Sequence, residues 1–428
     1  MIRILHLSDI HLGSSFCHGK INPKTGLNTR LEDFIKSLSK CIDRAIQEPV
    51  DLVLFGGDAF PDSTPAPYIQ EAFASQFRRL ADAQIPTVLL VGNHDQHAQG
   101  SGGASLSIYR TLAVPNFQVG DRIETHHIST KNGPIQVITL PWLTRSVLLT
   151  RPETEGLSME EINQLLIKRI QPALEGEIRQ LNPEIPTVLL AHLMADRCSL
   201  GAERYLAVGK GFTVPVSLLI RPEFDYVALG HVHKHQNLNK QNNPPVIYPG
   251  SIERVDFSEE KEEKGYVMIE ITKNQVNWQF CPLPVRPFCT IEIDVSQGKN
   301  PQQKILEAIA KENIKDAIVR LIYKLRSEQL ELIDITELNQ ALKTAHHHTI
   351  KAELFSQLAR PRLPELGIGN SLDPMEALSA YLDNQNDLQD LVKDMLSAAQ
   401  ILLDENIDDL VIDNQAKNNT NKRQLRLL

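Results

Sequence analysis

The residues best suited to chemistry are oxygen and nitrogen donors that sit just past short apolar runs. Asp9-x-His11 follows Ile2–Leu7, and Gly56-Gly57-Asp58 follows the run that ends at Phe55. Gly92-Asn93-His94-Asp95 follows Thr87–Val91, His192 follows Thr187–Ala191, and Gly230-His231-Val232-His233 follows Tyr226–Leu229. Carboxylate, amide and imidazole donors without thiolates suit Mn²⁺, Fe²⁺ or Zn²⁺. Asp9, His11, Asp58, Asn93, His192, His231 and His233 are too many for one open catalytic ion. They match two ions about 3.5–4 Å apart that share a carboxylate. Asp58 is the natural bridge, because its neighbouring glycines allow close backbone approach. His231 and His233 lie two apart in an extended stretch and so face one side. His94 is placed to protonate a leaving alkoxide or to bind the transferring phosphate. Asp-x-His or Gly-Asp alone carries little weight; the joint occurrence, always at a strand end, is what points to a dimetal centre.

Such a set needs a scaffold that aims several strand ends at one place. The apolar runs are four to six residues long, rich in Val, Ile and Leu, and bounded by Gly, Pro, Asn or Asp. They predict strands buried on both faces. Between them lie helical patterns. Thr29 and Glu32 have capping-box spacing and open a stripe of Leu31, Phe34, Ile35, Leu38, Cys41, Ile42 and Ala45. Ile69, Ala72, Phe73, Phe77 and Leu80 form a second stripe, and Ser158 with Glu161 opens a third helix. Alternating strands and helices predict a layered α/β domain, in which ligands bind beyond the carboxyl ends of strands.

The texture changes near residue 282. Pro282-Leu283-Pro284-Val285-Arg286-Pro287 cannot be helix interior and suits a domain junction. A smaller α/β unit follows, with strands at Thr290–Val295, Ala317–Leu325 and Thr349–Leu354 and helices at Pro301–Lys311 and Ile335–Thr344. Arg320 and Lys324 on one of these strands are candidate phosphate contacts, although solvated charges are the simpler reading. His346-His347-His348 reads as a solvated cluster at a helix-to-strand junction, and His18 and His97 as candidates for the site mouth. A Pro- and Gly-bearing linker, Pro361–Leu372, precedes a helix capped at Asp373-Pro374 and a basic, Asn-rich tail, 417–428. The expected division is 1–282, 283–360 and 361–428.

Composition narrows the function classes. The chain has 428 residues and a formal net charge of −9, with 42% hydrophobic and 23% charged residues. That usage excludes a disordered or disulfide-scaffold chain, and it excludes nucleic-acid binding through bulk positive charge. The five cysteines include no CxxC pair, so a reducing compartment is expected. With no signal-like start and no apolar run of about 18 residues, a cytoplasmic protein without a membrane span is expected.

These motifs resemble the calcineurin-like metallophosphoesterase superfamily, and within it the SbcD-type DNA repair exonuclease subunits. The resemblance rests on His6-Leu7-Ser8-Asp9-Ile10-His11-Leu12-Gly13, on Gly92-Asn93-His94-Asp95, and on Tyr248 through Glu259. Lys264-Gly265-Tyr266 and Val285-Arg286-Pro287-Phe288 add to it. It implies a metallophosphoesterase domain of central β-sheets flanked by helices, then a small α/β capping domain that grips DNA, then a C-terminal helical segment. It implies two divalent ions, Mn²⁺ being the expected metal. Asp9, His11, Asp58 and His233 would hold one; Asp58, Asn93, His192 and His231 the other; His94 would be catalytic. The implied function is a DNA exonuclease and endonuclease subunit, usually homodimeric. Such a subunit works with an SbcC-type ATPase, docked on the C-terminal helix, in double-strand break and hairpin processing. One departure is Pro61, three residues after Asp58, where some relatives carry a histidine. A phosphodiesterase or phosphatase for a small molecule or phosphoprotein is the alternative within the superfamily. A non-catalytic scaffold is a further alternative, disfavoured by the intact set of donors.

Overall fold

The structure is a computed structural model that describes residues 1–96, 103–143, 156–199, 213–240 and 243–355, together with 375, 378–379, 382 and 392–404. The chain divides into two compact units, Met1–Leu354 and Phe355–Leu428. His97, the linker 361–372, the Asp373-Pro374 helix start and the tail 417–428 lie outside the described residues. In the second unit a helix spans Val392–Asp404. No helix among the described residues is long and apolar enough to cross a membrane.

Two six-stranded sheets form the centre of the first unit. One runs, edge to edge, Gln275–Pro282, Gly265–Thr272, Ile2–Leu7, Leu52–Phe55, Thr87–Leu90 and Phe117–Gly120. The other runs Gln236–Asn237, Val246–Tyr248, Tyr226–Gly230, Thr187–His192, Gly133–Leu140 and Glu124–Thr130. In the first sheet the strands from Ile2–Leu7 to Phe117–Gly120 pair in parallel, and Gly265–Thr272 joins Ile2–Leu7 and Gln275–Pro282 antiparallel; in the second the four inner strands are parallel and the two edge strands antiparallel. Alternate side chains decide the layering. Ile2, Ile4, Leu52, Leu54, Val88 and Leu90 meet Val188, Leu190, Tyr226 and Ala228 in a core between the sheets. Their sequence neighbours, Leu5, Val53 and Leu89, face outward onto the helices Thr29–Gln47 and Pro67–Asp82. Leu189, Val227 and Leu229 likewise face the helix Met159–Ile178. Both faces of each central strand are therefore buried, as the unbroken apolar runs require.

Two local expectations change. The helix at residue 29 is capped by Asn28, whose side chain accepts from Arg30 N–H; Glu32 turns instead to Asn22 and Thr25. Asn28 wins because it lies one residue earlier, in extended conformation, within reach of the free N–H groups. The box of Ser158 and Glu161 does form. The run Gln136–Leu140 is the strand Gly133–Leu140, as the sequence predicts, but its edge partner Glu124–Thr130 and the edge strand Gln275–Pro282 are largely exposed and break the apolar pattern; the two-residue loops Lys131-Asn132 and Lys273-Asn274 mark the hairpins.

A three-stranded sheet, Phe288–Asp294, Ile318–Arg326 and His347–Phe355, belongs to the same compact unit. It packs its own core with the helices Pro301–Lys311 and Ile335–Ala341. Its seam with the double sheet is rich in arginine. Arg286 forms two hydrogen bonds to Asp33, at 2.6 and 2.7 Å. The fully buried Arg30 donates to Asp33 and to the Arg254 carbonyl and lies against the Phe288 ring. The Arg320 guanidinium sits 4.3 Å over the Phe257 ring and bonds Thr290, while Lys324 pairs with Glu292. Arg320 is thus packed at the seam, whereas Lys324 forms an exposed surface pair, as the solvated reading expects. The histidine triplet also differs from expectation. Its side chains diverge, but His346 reaches Thr29 at 2.8 Å and the His347 ring lies 5.8 Å from that of His18. Both are half buried, so this part of the triplet is packing at the seam, and His18 belongs to that seam.

Candidate metal centre

The parallel strands of both sheets end at one edge, and the predicted donors meet there. Asp9 and His11 follow Ile2–Leu7, Asp58 follows Leu52–Phe55, and Asn93 and His94 follow Thr87–Leu90. His192 closes Thr187–His192, and His231 and His233 follow Tyr226–Gly230. Donor atoms fall into three overlapping groups, each within 4.8 Å: Asp9, His11 and His233; His11, Asp58 and His94; Asp58, His192 and His231. Asn93 joins the last group through Oδ1, 3.0 Å from His192 Nε2 and 2.9 Å from His231 Nδ1. Asp58 stands between the groups, with Oδ2 3.7 Å from His11 Nε2 and 3.3 Å from His192 Nε2.

The backbone is strained where it delivers these groups. Asp9, His11, Asp58 and His231 all have positive φ, from 45° to 101°. Each such residue costs about 1–3 kcal/mol and persists only where the surroundings hold it. Holding is visible: Asp9 N–H donates to the Gly57 carbonyl, His11 N–H to that of Asp58, and His231 N–H to the Asp9 carboxylate. Gly92 is required here, because a Cβ would overlap Asp58 Oδ1.

Partners fix the rings. His192 Nδ1 donates to the Gly56 carbonyl at 2.6 Å, which turns Nε2 toward the acceptors Asn93 Oδ1 and Asp58 Oδ2. His233 Nδ1 donates to Glu259 at 2.7 Å, which turns its Nε2 toward His11 Nε2, 2.9 Å away. Buried His231 Nε2 has no hydrogen-bond partner. Lone pairs aimed at one another at hydrogen-bond distance fit cations between them, and the O/N donor set fits divalent metal. The electrostatics agree. Burial pushes Asp9 up to about 6, against the pull of His192 and His233. Burial also acts on Asp58, but His192, His11 and His94 hold it well below the usual carboxylate range. Burial opposes protonation of His192, but the charge and hydrogen bond of Asp58, with Asp9 and the Gly56 carbonyl, together carry it up to about 9. The cluster thus seeks positive charge.

His94 is tethered rather than free. Its N–H donates to Asp58 Oδ1 at 2.9 Å, and its Nδ1 lies 2.7 Å from the Pro61 carbonyl. Pro61 thus orients His94 through its main-chain carbonyl. Three contributors escaped the sequence reading. Asp95 is fully buried and accepts N–H groups from Asp58, Ala59 and Gly92. Glu259 is the partner of His233. The Trp142 ring lies 4.9 Å from that of His231, just past the strand Gly133–Leu140. The signal for Trp142 was its strand-end position; for Asp95 it was an acid adjoining an apolar strand end.

Two facing sheets that converge oxygen and imidazole donors on one edge define a metal-dependent hydrolase centre. The profile of the calcineurin-like phosphoesterase family matches residues 2–235, and the chain belongs to that family. A curated relative, the SbcD subunit of the nuclease SbcCD from Staphylococcus epidermidis, is 27% identical over 299 residues, 68% of this chain and 73% of its own. Among solved structures, the protein TT1561 of Thermus thermophilus aligns with 65% of this chain and 98% of its own, at 16% identity and a TM-score of 0.38. A dimetal phosphatase from Danio rerio aligns with 65% of this chain and 95% of its own, at 12% identity and a TM-score of 0.37.

Proposed function

We propose that this metallophosphoesterase is a DNA exonuclease and endonuclease subunit that works with an SbcC-type ATPase on double-strand breaks and hairpins. The observation that carries the reading is the turn Phe257–Glu259. Glu259 at one end holds His233, and Phe257 at the other packs on Phe288 and under Arg320 of the three-stranded sheet. A three-stranded sheet with its own core, built onto the turn that braces a candidate ligand, is more than a small phosphoester needs. It suits a polymer laid across both parts, with residues 283–360 as the capping domain. The SbcD relative supports the same reading, under which 361–428 would dock the ATPase and the chain would form a homodimer.

On this reading Asp9, His11, Asp58 and His233 hold one Mn²⁺, and Asp58, Asn93, His192 and His231 the other. Bound ions would supply a nucleophilic water and offset phosphoryl charge. The chain's own residues do the rest. Asp58 orients both ligand groups, and the tethered His94 offers its Nε2 edge to the leaving oxygen. The test compares linear and hairpin DNA with a chromogenic phosphodiester, in added Mn²⁺, with and without the ATPase and ATP. Turnover of DNA that the partner stimulates is expected. Turnover of the small ester alone would replace the nuclease reading with the small-substrate one.

A further inference from the structure

The buried pair Glu259 and Lys264 converges on one histidine from two sides. Glu259 and Lys264 are both fully buried. Glu259 Oε1 accepts from His233 Nδ1 at 2.7 Å, and Oε2 accepts from Val255 N–H at 2.9 Å and meets Lys264 Nζ at 2.8 Å. The same ammonium donates to the His233 carbonyl at 3.1 Å and to Glu262 at 2.8 Å. One cation therefore grips the main chain of His233 and the carboxylate that holds its ring. His192 offers a contrast, since its Nδ1 meets a neutral main-chain carbonyl.

We propose that Glu259 and Lys264 are positioning residues for His233, acting as a relay from ammonium to carboxylate to imidazole. Glu259 selects the tautomer with the proton on Nδ1 and makes Nε2 a stronger donor toward a cation. Lys264 holds Glu259 in register through its 2.8 Å contact with Oε2, since a lone carboxylate at full burial would be costly. A charge-assisted bond at this distance is about twice as strong as a neutral one, so His233 is held more firmly than His192. The consequence is asymmetry. The ion position shared by Asp9, His11, Asp58 and His233 depends on the pair, and the position shared by Asp58, Asn93, His192 and His231 does not. This inference rests on the dimetal reading.

The test is calorimetric titration of Mn²⁺ into the full, metal-stripped chain and into Glu259→Gln and Lys264→Met. Each substitution is expected to weaken one of two Mn²⁺ sites by about 10–100-fold and leave the other unchanged. Two unchanged sites, or two sites weakened alike, would overturn the relay while leaving the dimetal reading standing. An unaltered chain that binds no Mn²⁺ would overturn both. If neither variant folds, ¹⁵N-histidine NMR of the unaltered metal-stripped chain decides: a proton on His233 Nδ1 with Nε2 bare supports the relay, and the opposite tautomer refutes it.

Discussion

Asp95 holds the peptide on both sides of Asp58: its Oδ2 accepts the Asp58 N–H at 2.9 Å and its Oδ1 accepts that of Ala59 at 3.0 Å. The residue after His94 thereby sets the angle at which the bridging candidate enters the cluster. It does so at the expense of its own charge, since burial and the nearby Asp58 push it up to about 7.

Asp95→Ala should be among the most damaging single substitutions in the chain. It strips the acceptor from the N–H groups of Asp58, Ala59 and Gly92. Each buried orphan donor costs about 1–3 kcal/mol. Urea denaturation should show a loss of several kcal/mol; a midpoint matching the unaltered chain would remove Asp95 from this role.

His94→Ala and Asp58→Asn should separate turnover from metal binding. His94 contacts Asp58 through its main-chain N–H, which alanine keeps. Cleavage should therefore fall by about 10²–10⁴-fold with metal content near that of the unaltered chain. Asp58→Asn removes charge between the ligand groups and should lower both. Elemental analysis beside a DNA cleavage assay checks the pair; wild-type cleavage by His94→Ala would end its catalytic assignment.

His6 should make the fold sensitive to acid. Burial, opposed by the Leu229 backbone and aided by His235, pulls its pKa down to about 3. The unfolded chain takes up a proton near pH 6.5 and the folded chain does not until about 3. Stability from this group is complete above about pH 6.5 and is lost as pH falls toward about 3, by about 1.4 kcal/mol per pH unit. His6→Leu should flatten that slope in denaturation curves recorded between about pH 7 and pH 4. Parallel slopes in both proteins would count against a neutral His6.

The Asp33–Arg286 pair should govern how firmly the three-stranded sheet is attached. Both groups are largely buried, and the contact is bidentate. Arg286→Ala leaves Asp33 with Arg30 alone and should cost about 2–4 kcal/mol. Limited proteolysis should then cut first around 283–290. A digestion pattern identical to the unaltered chain would show that packing of Phe288 and Arg320 suffices.

Much of this protein was written in its local sequence. Apolar runs of four to six residues announced the central strands, because a strand buried on both faces has no room for polar residues. The donors stood at the ends of those runs, and their types excluded a thiolate site. Asp9, His11, Asp58, Asn93, His94, His192, His231 and His233 were all readable in this way. What local pattern could not supply was pairing across the chain. Glu259 lies 26 residues from His233, and Asp95 lies 37 from Asp58. Neither acid announces its partner, because a carboxylate's role depends on which N–H groups the fold brings to it. The same holds for Arg320 and His347, which read as solvent-facing until Phe257 and His18 arrive across the seam. Residue type and strand-end position determined the kind of chemistry; the close packing of two sheets decided which groups hold the donors still, since buried hydrogen bonds form only between atoms that tertiary structure brings within about 3 Å.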